Sequence, residues 1–186
     1  MPGSGGEALM TLRHTQPCPI AATVNVIGDH WSMLILREAF LGRTRFGEFE
    51  RHTGIAKNLL SQRLGALVEH GVLQRQDVGH AGKRFAYVLS EKGEALLPVM
   101  MAMADWGNAQ IYGAGHEPVM SVEKKSGVRV APLWPVGADG RKLARRDMRM
   151  VAGPGFETGF EPGFEPGSEV GADQAVSKSA AVSPIK

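Results

Sequence analysis

The chain has 186 residues, 43% of them hydrophobic, and a formal net charge of +2. It is long enough for one domain of ordinary size with tails, and its single cysteine excludes a disulfide within the chain. No apolar run approaches the roughly 20 residues that a membrane-spanning helix needs, and the N-terminus lacks the pattern of a signal peptide. These features predict a cytoplasmic protein with no membrane partner, in which any nucleic-acid binding depends on a local basic patch.

Residues 1–16 begin with a glycine-rich run and show no periodic pattern, which predicts a flexible arm. Cys18-Pro19 then opens a first helix over about 19–28, since proline is favoured at the first helical position. The partial positive charge of a helix N-terminus favours a thiolate, so Cys18 is a candidate sensor. The alternative is a small buried apolar residue beside a dimer interface.

A second helix is predicted over 31–41, because apolar residues on most sides are typical of a buried helix. Asp29 is placed to cap it, and Trp31 is expected to anchor the core rather than line a ligand pocket. Arg43 and Arg45 follow in the connection to the next helix. They are candidates for phosphate contacts, and solvated loop charge is the alternative reading.

The next stretch has the pattern of a helix-turn-helix. A short helix over about 45–53 is stopped by Gly54, and a second helix is predicted over 57–69. The second helix has an apolar stripe at helical spacing, formed by Leu60, Leu64, Leu67 and Val68. Another face has groups that can bind base edges in a major groove, namely Lys57, Asn58, Ser61, Gln62 and Arg63. An ordinary solvated helix face is the alternative, so the flanking elements decide between the two.

A hairpin with a basic loop follows the helix pair. Strands are predicted over 72–76 and 85–89, and the loop between them ends in Lys83-Arg84. Such a wing supplies positive charge to the phosphate backbone or the minor groove. Residues 41–84 contain eight Lys/Arg and four acids, a net of +4 against +2 for the whole chain. The basic excess is therefore concentrated where this architecture would face DNA.

Ser90 is predicted to cap a last helix that runs to about Tyr112. Its larger side chains step by three and four positions like a coiled-coil seam, which favours a dimerisation helix: Leu96, Val99 or Met100, Met103, Trp106 and Gln110. Because Pro98 falls inside this stretch, the helix should kink there or start closer to that residue.

Two further segments complete the chain. Residues 114–152 have the composition of short strands, with a turn at Asp139-Gly140, and form a small extension whose structure the pattern does not define. The run RKLARRDMR within it either supplements DNA contact or is only a solvated basic segment. The extension lacks the four ligands of a zinc site, so no metal is expected. Residues 153–186 contain a decaying four-residue repeat with glycine, proline and acids, which is typical of a disordered tail.

Several motifs within residues 17–112 together resemble the HxlR family of bacterial and archaeal winged-helix transcription regulators, which are related to MarR-type proteins. They are Cys18-Pro19, Gly28-x-x-Trp31, Arg45-Phe46, LSQRL at 60–64 and LSEKG at 89–93. The resemblance implies a fold that is mainly α with a small β-hairpin, in which a winged helix-turn-helix domain over residues 17–113 has N- and C-terminal dimerisation helices. It also implies a homodimer that binds an operator, and some members sense electrophiles or oxidants through the early cysteine. Ala56 departs from the usual Ser and loses a side-chain cap worth about 1 kcal/mol.

The sequence thus predicts a homodimeric regulator, and most simply a repressor, that binds double-stranded DNA at an inverted-repeat operator and is associated with the nucleoid. The predicted DNA contacts are Arg43, Arg45, Lys57, Asn58, Ser61, Gln62, Arg63, Lys83 and Arg84. Cys18 or a small-molecule effector would carry the signal. A winged-helix adaptor that binds protein and a small thiol enzyme remain as alternatives. Because no phosphate-binding loop, nucleophile elbow or paired metal ligands appear, no catalytic residue and no cofactor is predicted.

Overall fold

The structure, a computed structural model, describes residues 18–79 and 84–151. In chain order they form helices α1 (Pro19–Ile27), α2 (His30–Phe40), α3 (Phe46–Thr53) and α4 (Lys57–Glu69), strands β1 (Leu73–Asp77) and β2 (Phe85–Leu89), and helices α5 (Glu91–Glu94) and α6 (Leu97–Gly107). A π-helical turn, Asn108–Tyr112, follows α6, and a 3-10 turn, Arg145–Asp147, lies in the extension. The predicted fold class, mainly α with a small hairpin, is confirmed. The predicted arm, Lys83 in the wing loop and the predicted tail lie outside the described residues.

Local chemistry explains the start of α2 and the end of α3. The Asp29 carboxylate caps α2 by accepting hydrogen bonds from the N–H groups of Trp31 and Ser32, each at 3.1 Å. Gly54 ends α3 with a φ of 72°, a left-handed conformation that glycine adopts without strain. Ala56 precedes α4 and provides no side-chain cap, because alanine has no polar side-chain atom. The start of α4 is therefore held by packing rather than by capping.

The hydrophobic core joins α1, α2, α3, α4 and β1. Three leucines of the stripe predicted in α4 are fully buried, whereas Val68 of the same stripe is only partly buried. The large, fully buried side chains on these elements are Ile27, Ile35, Leu36, Phe49, Leu60, Leu64, Leu67 and Leu73. Ile55, in the turn between α3 and α4, belongs to the same cluster, and Trp31 packs against it. Full burial of one such side chain contributes about 1.5–3 kcal/mol. Three leucines from α4 thus fix which face of that helix points outward.

The hairpin is joined to the helix pair by a short third segment. Strands β1 and β2 pair antiparallel, with Leu73 opposite Leu89. Arg45 forms an isolated bridge with Ala86, and the N–H of Tyr87 donates to the carbonyl of Thr44 at 2.7 Å. The connection before α3 is therefore bonded to the base of the hairpin, and the two predicted DNA-facing elements are held as one unit.

The structure divides the predicted last helix in two. The Ser90 hydroxyl caps α5 by accepting from the N–H of Gly93 at 3.0 Å, and it donates to the carbonyls of Gly71 and Val72. Helix α5 ends at Glu94, and α6 then starts with Pro98 in its first turn. Proline fits a first turn because its missing N–H has no helical partner there. This is the second of the two outcomes that Pro98 predicts.

The extension is built from turns and short bridges. Val122 pairs with Arg129, and Val136 pairs with Lys142 around the predicted turn at Asp139-Gly140. The Asn108 side chain donates to the carbonyl of Val119 at 2.9 Å and so connects the extension to the end of α6. An open apolar groove of about 740 Å³ lies between α6 and residues 133–135. None of the helices in the described ranges is long and apolar enough to cross a membrane.

Candidate nucleic-acid interface

The N-terminal half of α4 presents the predicted polar face to solvent. Lys57, Asn58, Ser61 and Gln62 are all exposed, whereas the three core leucines of the same helix are fully buried. Within the described residues, the side chains of Asn58, Ser61 and Gln62 make no hydrogen bond. Asn58 and Gln62 are one helical turn apart, so both amides project from the same side. The face therefore offers free donors and acceptors to a ligand.

Lys57 opens this face with a weakly held charge. Its ammonium nitrogen is 3.9 Å from a carboxylate oxygen of Glu50, and the lysine side chain is largely exposed. Exposed pairs of this kind contribute about 0–1 kcal/mol to stability. Lys57 can therefore exchange Glu50 for a phosphate at little cost.

Arg63 lies beside the free face, in the junction between α4 and α2. Its Nε atom is 3.2 Å from Oδ1 of Asp29, and its side chain is 34% exposed. The same Asp29 carboxylate caps α2. Arg63 thus fastens α4 to the start of α2, and a contact with DNA would require it to give up this ion pair.

Arg43 is also committed to a carboxylate. Its Nε atom is 3.1 Å from Glu38, which projects from α2 and whose side chain is only 4% exposed. Arg37 reaches the other oxygen of Glu38 at 2.6 Å. A buried carboxylate is costly unless cations offset its charge, so Arg43 helps to stabilise the connection before α3.

Arg45 and Arg84, the other predicted cations that the structure describes, form no ion pair within the described residues, and two further arginines accompany them. Arg45 and Arg84 are exposed, and so are Arg51 and Arg75. The last two contribute to the net charge of residues 41–84 but were not predicted as DNA contacts. The guanidinium of Arg75 lies over Phe85, 4.5 Å from the ring centroid, and is held along the hairpin. For Arg51 and Arg75, the only indication in the sequence of a DNA contact was their position in the basic stretch. Lys83 lies outside the described residues.

The Glu48 carboxylate accepts hydrogen bonds from the backbone at the start of α3. Its carboxylate accepts hydrogen bonds from the N–H groups of Arg45 at 2.8 Å and Thr44 at 3.0 Å. These two bonds, aided by the nearby charges of Arg43 and Arg45, hold the pKa of Glu48 below its usual value. The acid therefore stays ionised and orders the connection before α3.

Cys18 occupies the N-cap position of α1, where the sequence places it. The residue is half-buried, and its carbonyl accepts a hydrogen bond from the N–H of Ala22 at 2.9 Å. In the described part of the chain, no group of three or more His, Cys, Asp and Glu side chains is arranged to hold a metal ion. A sensing role for Cys18 stays a prediction.

Two helices joined by a glycine turn, a following hairpin and a basic outer surface define a winged helix-turn-helix domain. The model of the HxlR-like helix-turn-helix family matches residues 26–114. The chain belongs to this family.

Known relatives share the domain and more of the chain. An uncharacterised HTH-type transcriptional regulator of Mycobacterium tuberculosis (strain H37Rv) is 30% identical over 138 residues, which cover 74% of this chain and 87% of the relative. An uncharacterised HTH-type transcriptional regulator of Methanothermobacter thermautotrophicus is 32% identical over 101 residues, which cover 54% of this chain and 76% of the relative. The longer match exceeds the span of the family model, so it includes residues outside 26–114.

Two solved structures are similar to this one. The crystal structure of PA1607, a proposed transcription factor, is 43% identical and superposes with a TM-score of 0.69, covering 74% of this chain and 96% of that one. PA1374, a proposed transcription factor of Pseudomonas aeruginosa, is 40% identical with a TM-score of 0.55, and covers 76% of this chain and 96% of that one.

Proposed function

We propose that this chain is a homodimeric, sequence-specific DNA-binding repressor. In this proposal α4 reads base edges in the major groove, while the hairpin and the connection before α3 hold the flanking phosphates. The observation that carries the proposal is the exposed, unpaired polar face of Asn58, Ser61 and Gln62 on a helix whose other face is fully buried. Its family of helix-turn-helix transcriptional regulators supports the same reading.

The chemistry of that face suits a base edge. A side-chain amide can donate and accept at once, which matches the paired donor and acceptor of adenine in the major groove. Asn58 and Gln62 offer two such amides, one turn apart. Lys57 at the helix start can bind guanine or the backbone. The residues that fix α4 in place, including Arg63, contribute positioning rather than base contacts.

Phosphate contacts would come from the cations that surround the face. Arg45, Arg51, Arg75 and Arg84 are all exposed. Each cation that neutralises a phosphate releases counterions and so makes binding dependent on salt. Because the connection before α3 is bonded to the hairpin, these arginines keep a fixed arrangement around α4.

A dimer would pair two such surfaces for a symmetric operator. Ile20 and Val24 of α1 and Met103 and Trp106 of α6 are exposed apolar residues on the two predicted dimerisation helices. A twofold dimer would set its two α4 helices about 34–36 Å apart, which matches successive major grooves on one side of the duplex. Modification of Cys18, or a small ligand, would act by changing that separation.

The test uses a duplex selected from a randomised pool by the full-length protein. Fluorescence anisotropy then compares this duplex with a scrambled one for the wild type, Gln62→Ala, Arg84→Gln and the control Lys124→Gln, which removes an exposed charge from the extension. Gln62→Ala should reduce the preference for the selected duplex by about 1–3 kcal/mol. Arg84→Gln should weaken binding to both duplexes equally.

Two outcomes would count against the proposal. If the pool yields no enriched sequence and the wild type prefers neither duplex at any salt concentration, the chain is better described as a winged-helix adaptor for another protein. If binding is specific but Gln62→Ala keeps the full preference, α4 is not the reading element.

Adding a thiol oxidant to the wild type and to Cys18→Ser separates a redox switch from a structural cysteine, because only a switch loses DNA binding in the wild type alone.

A further inference from the structure

We propose that the basic turn of the extension, residues 141–149, is a second contact with the DNA backbone, separate from α4 and the hairpin. This inference rests on the proposed function, which assigns DNA binding to the winged helix alone. It gives the extension a role, and it identifies the ligand by its chemistry, a regularly spaced row of phosphates on duplex DNA.

The charge of the extension matches that of the winged-helix motif. Residues 114–151 contain eight Lys/Arg and four acids, a net of +4, which equals the excess over residues 41–84. Five of these eight cations fall within residues 141–149, together with a single acid: Arg141, Lys142, Arg145, Arg146 and Arg149. The overall charge of +2 hides this concentration.

Ion pairs within this end of the extension neutralise its carboxylates and leave four cations without an acidic partner in the described ranges. Arg141 lies 3.3 Å from Asp147 and 3.7 Å from Asp139, so one arginine answers both carboxylates at this end of the extension. The other four cations are exposed, and within the described residues they form no ion pair. A run of unpaired positive charge in so short a segment repels itself unless a polyanion neutralises it.

The segment is an anchored turn rather than a loose tail. The Asp147 carboxylate accepts from the N–H of Ala144 at 2.8 Å and thereby starts the 3-10 turn that carries Arg145 and Arg146. The indole N–H of Trp134 donates to the carbonyl of Leu143 at 3.0 Å, and the N–H of Leu143 donates to Pro135 at 2.9 Å. An ordered turn loses less conformational entropy on binding than a flexible one.

The same anchor connects the turn to the winged-helix domain. Trp134 and Pro135, which hold the basic turn, also line the apolar groove against Met103 and Trp106 of α6. Lys142 lies over Trp134, 6.0 Å from the ring centroid. The free cations therefore lie on a segment whose anchor borders the same groove as α6.

The composition of the extension favours contacts with the backbone. Residues 114–151 contain no Asn and no Gln, whose amides match the donor and acceptor of adenine, so the polar contacts of this segment with DNA would come from Lys and Arg. Comparison of the selected and scrambled duplexes then separates phosphate contacts from guanine contacts. Arginine forms planar, bidentate contacts with phosphate oxygens and keeps its charge at any physiological pH. Duplex DNA presents a charge about every 1.7 Å along its axis, so several cations of one turn can be neutralised together.

The test compares two double variants of the full-length chain that remove the same charge from the extension. Arg145→Gln/Arg146→Gln changes the proposed contact, and the matched control Lys124→Gln/Lys125→Gln changes exposed lysines in the other turn of the extension. All four positions are exposed, and thermal melting confirms that each variant folds. Anisotropy with the selected duplex over about 50–200 mM salt gives the slope of log K against log salt concentration.

The arginine variant should lower the magnitude of this slope by about 2, because each phosphate contact contributes about 0.9. It should weaken binding to selected and scrambled duplexes by the same factor, and the lysine control should match the wild type. An unchanged slope in the arginine variant overturns the inference, and so does an equal loss in the lysine control.

Failure of this inference can be told apart from failure of the proposed function. If Gln62→Ala loses sequence preference while Arg145→Gln/Arg146→Gln behaves as wild type, the winged helix alone binds DNA and the inference falls. If the wild type binds duplexes without preference but only the arginine variant loses salt dependence, the inference stands and the sequence-reading proposal falls. Absence of any duplex binding by the wild type overturns both.

Discussion

The helix pair and the extension use hydrophobic residues in opposite ways. In α2, α3 and α4 fully buried apolar side chains form one core, and they decide which polar residues face outward. In α6 no side chain is fully buried, and the extension exposes valines, methionines and Trp134 to solvent. The extension instead keeps its shape through backbone hydrogen bonds around its turns.

This difference assigns most of the apolar burial in the described residues to the helix pair and its neighbours. Burial of apolar area is the main favourable term in folding, so a core of fully buried leucines stabilises the helix pair by itself. Helix α6, with exposed Val99, Met103 and Trp106, leaves apolar area that this core does not cover. Mutations in the two regions should therefore affect different equilibria.

The largest effect is expected in the core of the helix pair. Leu64→Ala removes a side chain that is 0% exposed, and the cavity should lower the free energy of unfolding by about 2–5 kcal/mol. The matched variant Leu133→Ala, in the extension, changes a leucine that is 48% exposed and should cost about 0.5 kcal/mol or less. Urea unfolding measures both. Equal losses would mean that the extension has a core of its own.

The second effect tests the junction between the helix pair and α5. A Cβ on Gly93 would lie 2.2 Å from the carbonyl oxygen of Val72, the residue before β1, so Gly93→Ala should force α5 away from Val72 and cost about 1–3 kcal/mol. Gly107→Ala is the control, since a Cβ there meets no atom within 4 Å. The control should be neutral or stabilise α6 by up to about 1 kcal/mol, as alanine is the better helix former. Thermal unfolding that ranks the two variants in the opposite order would contradict this account of the junction.

A third variant separates folding from association. Trp106 is 62% exposed, so Trp106→Ala should change the unfolding free energy of a dilute, monomeric sample by less than about 1 kcal/mol. If α6 is a dimer contact, loss of this indole should raise the dimer dissociation constant by at least about tenfold, because buried tryptophans are frequent hot spots. Sedimentation equilibrium measures the second quantity. An unchanged dissociation constant would remove Trp106 from the interface.

The smallest effect concerns a polar contact inside the well-packed region. Backbone N–H groups hold the pKa of Glu48 below the ordinary value of 4.5, so its contribution to stability is present above that pH and is lost as the pH falls through the lowered pKa. Glu48→Gln should therefore be less stable than the wild type at neutral pH, and the difference should shrink in acid. Urea unfolding at a series of pH values measures it. A constant difference would assign the effect to packing.

The sequence was most informative where structure depends on neighbours along the chain. The bounds of α4 and β2 follow from a helical leucine stripe, from Gly71 and from the alternation of Phe85, Tyr87 and Leu89. The turn at Asp139-Gly140 follows from residue preference alone. The break between α5 and α6 was less clear, because Pro98 permits either a kink or a new start and the choice depends on Ser90 and Gly93 packing against Val72.

The candidate site shows the same limit. Composition and spacing identify the exposed amides of α4, which need no partner within the chain. They cannot reveal that Arg43 and Arg63 form ion pairs with Glu38 and Asp29. Glu38 lies in α2 and Asp29 caps it, and the sequence of α2 predicts only a buried, apolar helix. A count of charges treats a paired arginine and a free one alike, and only the fold distinguishes them.

The hydrogen bond from Tyr87 to Thr44 has a consequence for the exchange of amide protons with solvent. It joins β2 to the connection before α3, at the end of the hairpin where Leu73 and Leu89 pack on the core, so we expect it to open with the core rather than with the tip of the hairpin. The Tyr87 amide should therefore exchange with deuterium only as fast as the domain unfolds, although it belongs to a short two-stranded sheet. In kinetic terms, the base of the wing has the lifetime of the core.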